Sequence, residues 1–585
     1  MENSKLKALQ QALKNNSIDA YYLNTSDYHM SEYVPAYFKT IEYFSGFTGS
    51  LATLLVDREH AYIFVDGRYH IQAERQCEPN GVEVVKLGTK GALDPIAFIE
   101  KNYTGKVIGL DGKRTSINFA KSLLNKGIKL KSVDIYSDLI ENRAPLSQDK
   151  LWFLLDEYTG KSRKEKLNNI KYCLNGKTHI VNNLESIAYI LNLRGNDIVY
   201  TPVFLSYLVF NKNDVYFFVN IERLDSDLLD SLYEDGIIIR PYDDYYRFVG
   251  SLKNETIILD DTKVNYETYC CIKNSGNKVS YMMSPIEEMK SMKNETERKN
   301  TILAHVYDGV AMVRFLKWLD ESDKSQLNEY EVSEKLNKFR LEYKAFDLSF
   351  NPIVAYQENA AMMHYSATKD KYTMLKNEGV LLVDSGGQYY EGTTDITRTI
   401  ACGPVSDELK KHFTTVLKSM FNLSSVKFIS GLSGNQLDIL ARRDIWQLGI
   451  DYRCGTGHGV GHVLAVHEAP PNIRYMHSAS KSEEVPLRVG NVVSDEPGIY
   501  LENKYGIRCE NLLLVENDEN NEYGQFLRFK TLTVVPFDLR LIDKNYLDDK
   551  TVKLLNEYHS EVYRKLSPYL NDEERAYLAN ITREI

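Results

Sequence analysis

GVLLVDSGG at 379–387 and TTDITRTI at 393–400 decide how this chain is read. The first is an unbroken apolar run closed by a Gly pair, which predicts a buried strand ending at Asp384. The second alternates β-branched residues with polar ones, which predicts a half-buried strand carrying Asp395 eleven residues later. A turn at Gly386 and Gly387 would pair the two strands and turn both carboxylates into one pocket.

Three further segments repeat the pattern of a charge set in apolar or glycine-rich sequence. VVSDEPGIY (492–500) is a strand stopped by Pro-Gly and holds Glu496, and GIRCENLLLV (506–515) holds Glu510. CGTGHGVGH (454–462) surrounds His458 with alternating glycines, which would let backbone approach whatever the imidazole binds. A buried carboxylate costs on the order of several kcal/mol unless cations or donors compensate it. No Lys or Arg run lies near enough in sequence to neutralise Asp384, Asp395, Glu496 and Glu510 together. Two divalent metal ions are therefore expected. Oxygen ligands with one nitrogen suit Mn²⁺ best, with Co²⁺ and Zn²⁺ as alternatives, whereas a sulfur-rich structural zinc site would need cysteines.

Taken singly, each piece has a plainer reading. VDSGG alone is a strand end and a turn. His458 and His462 have the i, i+4 spacing of a zinc-protease helix, but no Glu follows the first His and the glycines oppose a helix. The glycines are also wrongly spaced for a dinucleotide fingerprint. His467 in LAVHEAPP (464–471) alone reads as a core histidine, and His364 in AYQENAAMMHYSAT (355–368) as a loop histidine. The weight lies in the ordered combination.

A length of 585 residues implies two to four domains. Hydrophobic content of 43% and charged content of 26% are those of an ordinary globular protein. A net charge of −10, with no basic stripe, argues against a nucleic-acid partner. The densest basic stretch, residues 161–167, reads as a solvated helix face. Seven scattered cysteines form no disulfide framework, although Cys270 and Cys271 are adjacent, so a reducing cytoplasm is expected. The opening MENSKLKALQQALKNN reads as an amphipathic helix rather than a targeting segment. No run of eighteen apolar residues occurs, which excludes a spanning helix.

Helix and strand patterns alternate through residues 1–142 and again, in the same order, through 143–285, which predicts two related α/β domains produced by duplication. The last domain, 286–585, opens with a long helix whose Ile302, Val306, Val310 and Val313 recur at helical spacing. The ligand-bearing strands follow, and a helical extension starts near 539.

Asp, then Asp after eleven residues, then His, Glu and Glu within the next 115, resembles the pita-bread metallopeptidases, and within them the long, three-domain, cytosolic type of aminopeptidase P (Xaa-Pro aminopeptidase). The resemblance covers nearly the whole chain: TSDYHMSEYVP (25–35), EYFSGFTGS (42–50) and FVDGRYHIQAERQ (64–76) are similar to its first domain. LNLRGNDIVYTPVFLSYLVF (191–210) is similar to the second domain, and KNETERKNTILAHVYDGVAMVRFLKWL (293–319) to the opening helix of the catalytic one. It implies two creatinase-like α/β domains before a pita-bread catalytic domain, a homodimer, and release of the N-terminal residue from peptides with proline second. It also implies that Asp395 and Glu510 bridge the metals, that Asp384 completes one shell, and that His458 and Glu496 complete the other.

Glu496 would be general base towards a water shared by the ions. His467 would stabilise the oxyanion, and His364 would contact the substrate. Arg508 would orient a ligand carboxylate, and Tyr500 would line the site. One position departs from the family pattern: Cys454 stands where a histidine on the leaving-group side is usual, with His462 near enough to replace some of its polarity. The rival readings are a prolidase, confined to X-Pro dipeptides, and an inactive pita-bread module that binds protein partners. Chain length and the C-terminal helices weigh against the first, and the complete ligand set against the second.

Overall fold

TLLVD and AYIFV put apolar residues on both faces of consecutive strands, and the short turn between them forces an antiparallel pair, Thr53–Asp57 on Ala61–Val65. This pair lies inside a six-stranded sheet. The computed structural model describes residues 3–212, 214–475 and 485–585. They divide into two units, Met1–Asp156 with Lys161–Glu287, and Glu157–Gly160 with Glu288–Ile585.

The first unit holds two six-stranded sheets. One runs in the order Glu83–Lys86, Ala61–Val65, Thr53–Asp57, Ala20–Asn24, Val107–Leu110, Lys129–Ser132. The other runs Ile237–Pro241, Asp214–Val219, Ser206–Asn211, Thr178–Val181, Thr256–Leu259, Lys278–Tyr281. Their pairing senses also agree: in each, the second and third junctions are antiparallel and the others parallel. Identical order and sense in two successive sheets is what duplication produces. Ser206–Asn211 and Asp214–Val219 pair antiparallel as a hairpin.

The basic stretch at 161–167 is not wholly solvated as expected. Its helix, Arg163–Leu174, starts with a capping box between Ser162 and Glu165, but Arg163 and Lys166 turn inward and are buried. Arg163 donates to the Ser231 carbonyl at 2.8 Å and to Asp235 at 2.7 Å. Lys166 donates to the Tyr189 carbonyl at 3.1 Å. Ser231 and Tyr189 lie near the C-terminal ends of helices Ser226–Glu234 and Leu184–Leu191, where free carbonyls attract cations.

In the second unit the long helix Glu295–Glu321 begins at a capping box of Asn294 and Glu297. Val306, Val310 and Val313 are buried as expected. So are Ala304, His305, Asp308, Ala311, Met312 and Phe315, so the middle of this helix is enclosed on more than the one face that spacing predicts. Gly309 is required there: a Cβ would come within 2.7 Å of the Val534 carbonyl oxygen. Helix Asp549–Leu566 packs on the same region through Val562 and Leu566.

Around this core lie the three-stranded sheet Ile353–Tyr356, Val380–Ser385, Ile396–Ala401 and a six-stranded sheet. The latter runs Lys427–Ile429, Gly524–Thr531, Asn511–Asn521, Val492–Asp495, Gly457–Gly459, Glu468–Ile473. No helix among the described residues is long and apolar enough to cross a membrane, and each of the seven cysteines is free.

Candidate metal centre

Each expected ligand sits in or beside a strand of the second unit. Asp384 lies within Val380–Ser385, opposite Thr397, and Asp395 immediately precedes Ile396–Ala401 rather than lying inside that strand. Gly386-Gly387 is not the connecting turn. The link runs through two short strands, Gly387–Tyr389 and Gly392–Thr393, and Gly386 is needed because a Cβ would stand 2.0 Å from the Thr394 carbonyl oxygen. His458 is the middle residue of Gly457–Gly459. Glu496 follows Val492–Asp495, with its N–H on the Thr456 carbonyl at 2.8 Å, and Glu510 precedes Asn511–Asn521.

Contrary to the expectation from sequence, Gly457 and Gly459 do not open the backbone to a ligand. A Cβ on Gly457 would be 1.9 Å from the Ser494 carbonyl oxygen, and one on Gly459 would be 2.2 Å from that of Glu468. They let neighbouring strands close on His458.

Ligand atoms of Asp395, His458 and Glu510 lie within 4.8 Å of one another. His458 Nε2 is 3.4 Å from Asp395 Oδ2 and 3.2 Å from Glu496 Oε1, while its Nδ1 faces the Gly459 carbonyl at 2.9 Å. A proton on Nδ1 leaves Nε2 free for a cation. One cation does lie close. The Arg508 guanidinium is hydrogen-bonded to Asp384 and donates to Thr397 Oγ1 at 2.9 Å and Tyr500 Oη at 2.7 Å. Glu496 Oε2 is 3.9 Å from its Nε.

Sequence reasoning missed two hydroxyls. Thr397 Oγ1 donates to Glu510 Oε2 at 2.7 Å, and Ser494 Oγ donates to Glu496 Oε1 at 2.9 Å while accepting from the His458 N–H at 3.0 Å. The signal available was their place two residues from Asp395 and Glu496.

Crowding of like charges sets the electrostatics. Burial, then the neighbouring Asp395 and Glu496 charges, push Asp384 up to about 7 against the pull of Arg508. Burial and the same neighbours drive Glu510 well above the carboxylate range. Against burial, the hydrogen bond and charge of His458 hold Glu496 down at about 2, and His458 is raised well above an ordinary imidazole by Asp395 and Glu496. Four carboxylates cannot all ionise here with Arg508 and His458 as the balancing cations. Asp384 Oδ1 and Glu510 Oε1 are buried with no hydrogen-bond partner, a state that costs on the order of 1–3 kcal/mol per neutral group and more per charged one. Hard divalent cations meet both conditions, so the residues fit the expected group.

His467 stacks edge-on against His458, ring centroids 4.3 Å apart. His364 is partly exposed, in the turn after the short helix Gln357–Ala361, which packs so tightly on Tyr505–Arg508 that a Cβ on Gly506 would be 1.9 Å from the Ala360 carbonyl oxygen. Tyr500 and the half-buried Cys454 both pack against the apolar cluster that includes Ile499. His462, expected beside Cys454 at the substrate or behind it, has its ring between two other partners. It is buried, with Nδ1 3.3 Å from Thr301 Oγ1 and Nε2 3.0 Å from the Tyr158 carbonyl, so it ties its loop to the long helix.

Residues 301–517 match the model of metallopeptidase family M24, and 525–585 match the C-terminal region of peptidase M24. Residues 5–143 and 142–297 each match a creatinase/prolidase N-terminal domain. A probable Xaa-Pro aminopeptidase P of Laccaria bicolor is 34% identical over 98% of this chain and 91% of that protein. One of Paracoccidioides brasiliensis (strain Pb03) is 34% identical over 100% and 99%. The crystal structure of X-prolyl aminopeptidase from Caenorhabditis elegans, described as a cytosolic enzyme with a di-nuclear active site, superposes with a TM-score of 0.93 at 30% identity, over 100% of this chain and 99% of that one. The Xaa-Pro dipeptidase of Bacillus anthracis covers 64% of this chain and 98% of its own at 23% identity and a TM-score of 0.50, a likeness of fold alone.

Proposed function

The chain belongs to metallopeptidase family M24, and we propose that it is a Xaa-Pro aminopeptidase, hydrolysing the X-Pro bond to release the N-terminal residue of peptides with proline second. The observation that carries this is the buried convergence of Asp384, Asp395, His458, Glu496 and Glu510, with two oxygens left without partners, in a chain aligned along its full length with relatives of that name. Asp395 and Glu510 would be shared by two divalent ions, Mn²⁺ by the hardness of the oxygen set, with Asp384 on one ion and His458 and Glu496 on the other. When bound, such ions supply a water that ionises near neutral pH and a Lewis acid for the scissile carbonyl.

The chain's own residues do the rest. Glu496, oriented by Ser494, takes the attacking water's proton. Arg508 offsets the charge of Asp384 and, through Thr397, fixes the orientation of Glu510. His467 donates to the oxyanion, and His364 contacts the substrate. An X-Pro nitrogen carries no N–H and its ring is bulky, so selectivity needs an apolar wall, to which Cys454 and the ring of Tyr500 contribute. We place the enzyme in the cytoplasm on the free cysteines and on the relative described as cytosolic, and take the homodimer from the family resemblance alone.

A peptide panel varying the second residue, assayed with added Mn²⁺ and with chelator, tests the reading. Cleavage confined to proline-second peptides and lost to chelator supports it; activity that survives metal removal overturns it. Comparing Gly-Pro with Arg-Pro-Pro separates it from a prolidase, which would cleave the dipeptide alone.

A further inference from the structure

Helix Gly434–Trp446 carries a fully buried arginine that none of the chemistry above uses. Arg442, on helix Gly434–Trp446, donates Nε to Asp438 at 2.6 Å and Nη1 to Asp451 at 2.8 Å. Nη1 also reaches the Tyr452 carbonyl at 2.8 Å, and Nη2 the Cys454 carbonyl at 2.7 Å. Its guanidinium lies over the Tyr452 ring at 3.8 Å and the Tyr475 ring at 4.5 Å. Asp438 spends its other oxygen on Thr456 Oγ1 at 2.5 Å, and the Tyr452 hydroxyl meets the same Oγ1 at 2.6 Å.

The contacts to Asp451, Tyr452, Cys454 and Thr456 fix the segment 451–456, and that segment leads straight into the site. The Thr456 carbonyl accepts the Glu496 N–H at 2.8 Å, and His458 is two residues on. The Cys454 thiol lies within electrostatic reach of the Tyr500 phenol, which Arg508 holds. A planar fork meeting two carboxylates and two carbonyls is a task for arginine alone, since lysine has a single point of charge and no plane.

We propose that Arg442 is a positioning residue for the reaction: it sets the height of residues 452–456, and with it the placement of the Cys454 side chain and of the Glu496 backbone. The inference rests on the function proposed above. Arg442 touches neither substrate nor ion. It acts through the carbonyl of Cys454 and, by way of Asp438, through Thr456. Asp451 forms the outer arm of the same clamp, holding the Trp446 indole N–H at 2.8 Å as well as Arg442.

The test uses the full chain loaded with Mn²⁺, with Arg442→Lys as the principal variant and Asp451→Asn, isosteric and partly exposed, as the one that preserves folding. Two readouts are taken: kcat and KM on X-Pro and X-Ala peptides, and the rate at which iodoacetamide alkylates Cys454, followed by mass spectrometry of its peptide. The expected result for Arg442→Lys is a kcat/KM on X-Pro peptides lowered about 10- to 100-fold, with KM raised and the X-Pro over X-Ala ratio moved. Cys454 alkylation should quicken while two ions per chain are retained. Asp451→Asn should move both readouts in the same direction by less. If both variants keep the wild-type KM, substrate ratio and alkylation rate, whatever happens to Tm, Arg442 is only a core residue and the inference fails. A wild type that cleaves neither peptide class defeats the proposed function instead, and the alkylation rate then still decides whether Arg442 positions Cys454.

Discussion

Replacing Arg508 by Met removes the one guanidinium in contact with Asp384, and the consequence can be worked through to metal affinity. In the wild type Asp384 titrates at about 7 with the Arg508 charge already opposing burial. A full charge about 4 Å away at an effective dielectric constant of about 20 contributes about 4 kcal/mol, or about three pKa units, so the variant's carboxyl should titrate near 10. Metal binds the ionised form, so affinity follows the ionised fraction. At pH 8 that fraction is about 90% for a carboxyl titrating at 7 and about 1% for one titrating at 10, a loss of about 100-fold in affinity. The loss should shrink from about 500-fold at pH 7 to about 10-fold at pH 9, while in the wild type affinity should be down about twofold at pH 7 and fall steeply below it. Calorimetric titration of chelator-stripped protein with Mn²⁺ at pH 7, 8 and 9 reads this directly, and Arg508→Lys, which keeps a charge but not the fork to Thr397 and Tyr500, should fall between. A variant that binds Mn²⁺ with wild-type affinity and the wild-type pH slope would refute the argument, because Asp384 would then not depend on Arg508 for its charge.

Other substitutions address the remaining parts. Asp395→Asn and Glu510→Gln should each abolish turnover and lower metal content below two ions per chain with the fold intact; near-normal activity at limiting metal would disprove the shared-ligand assignment. His467→Ala should lower kcat by about 100-fold with a smaller change in KM, and an unchanged kcat would make it a packing histidine beside His458. Acid should destabilise each unit separately: burial depresses His179 to about 4, and burial with the Arg398 charge depresses His559 to about 3. Both stay neutral in the fold while the unfolded chain takes up a proton near 6.5, so stability is full above 6.5 and is lost between there and 3–4, about 2 kcal/mol for each histidine at pH 5. Urea midpoints that do not fall between pH 8 and pH 5 would contradict this. Cys454→His should raise the ratio of kcat/KM on X-Pro over X-Ala peptides, and an unmoved ratio with a wild type already strict for proline would show the cysteine to be neutral.

Much of the fold was legible because its signals are local. Period-two and continuous apolar runs place Thr53–Asp57, Ala61–Val65, Val380–Ser385 and Ile396–Ala401, and the repeated order of elements foretells two sheets of one topology. What failed was whatever depends on partners distant in sequence. Nothing near 161–167 announces that Arg163 and Lys166 will find the carbonyl ends of two other helices and turn inward. The GlyGly pair at 386–387 reads as a hairpin turn, yet the close approach it permits is to Thr394 across an intervening pair of short strands.

At the site the same division holds, and it explains why carboxylates are easier to read than the groups that tune them. An acidic residue in an apolar run violates the pattern around it, so Asp384, Asp395, Glu496 and Glu510 stand out. A Thr or Ser in a β-branched strand violates nothing, so Thr397 and Ser494 carry no signal beyond their spacing from Asp395 and Glu496, although each holds one oxygen of an expected ligand carboxylate. Those two hydroxyls leave Glu510 Oε1 as the oxygen without a partner and turn Glu496 Oε1 towards His458 Nε2. The strands bring the charges together, and the neutral donors decide which oxygens remain for a cation. A Thr397→Val variant would keep every charge and every strand yet release Glu510 from its donor. The metal centre therefore depends on residues that no count of ligands would include.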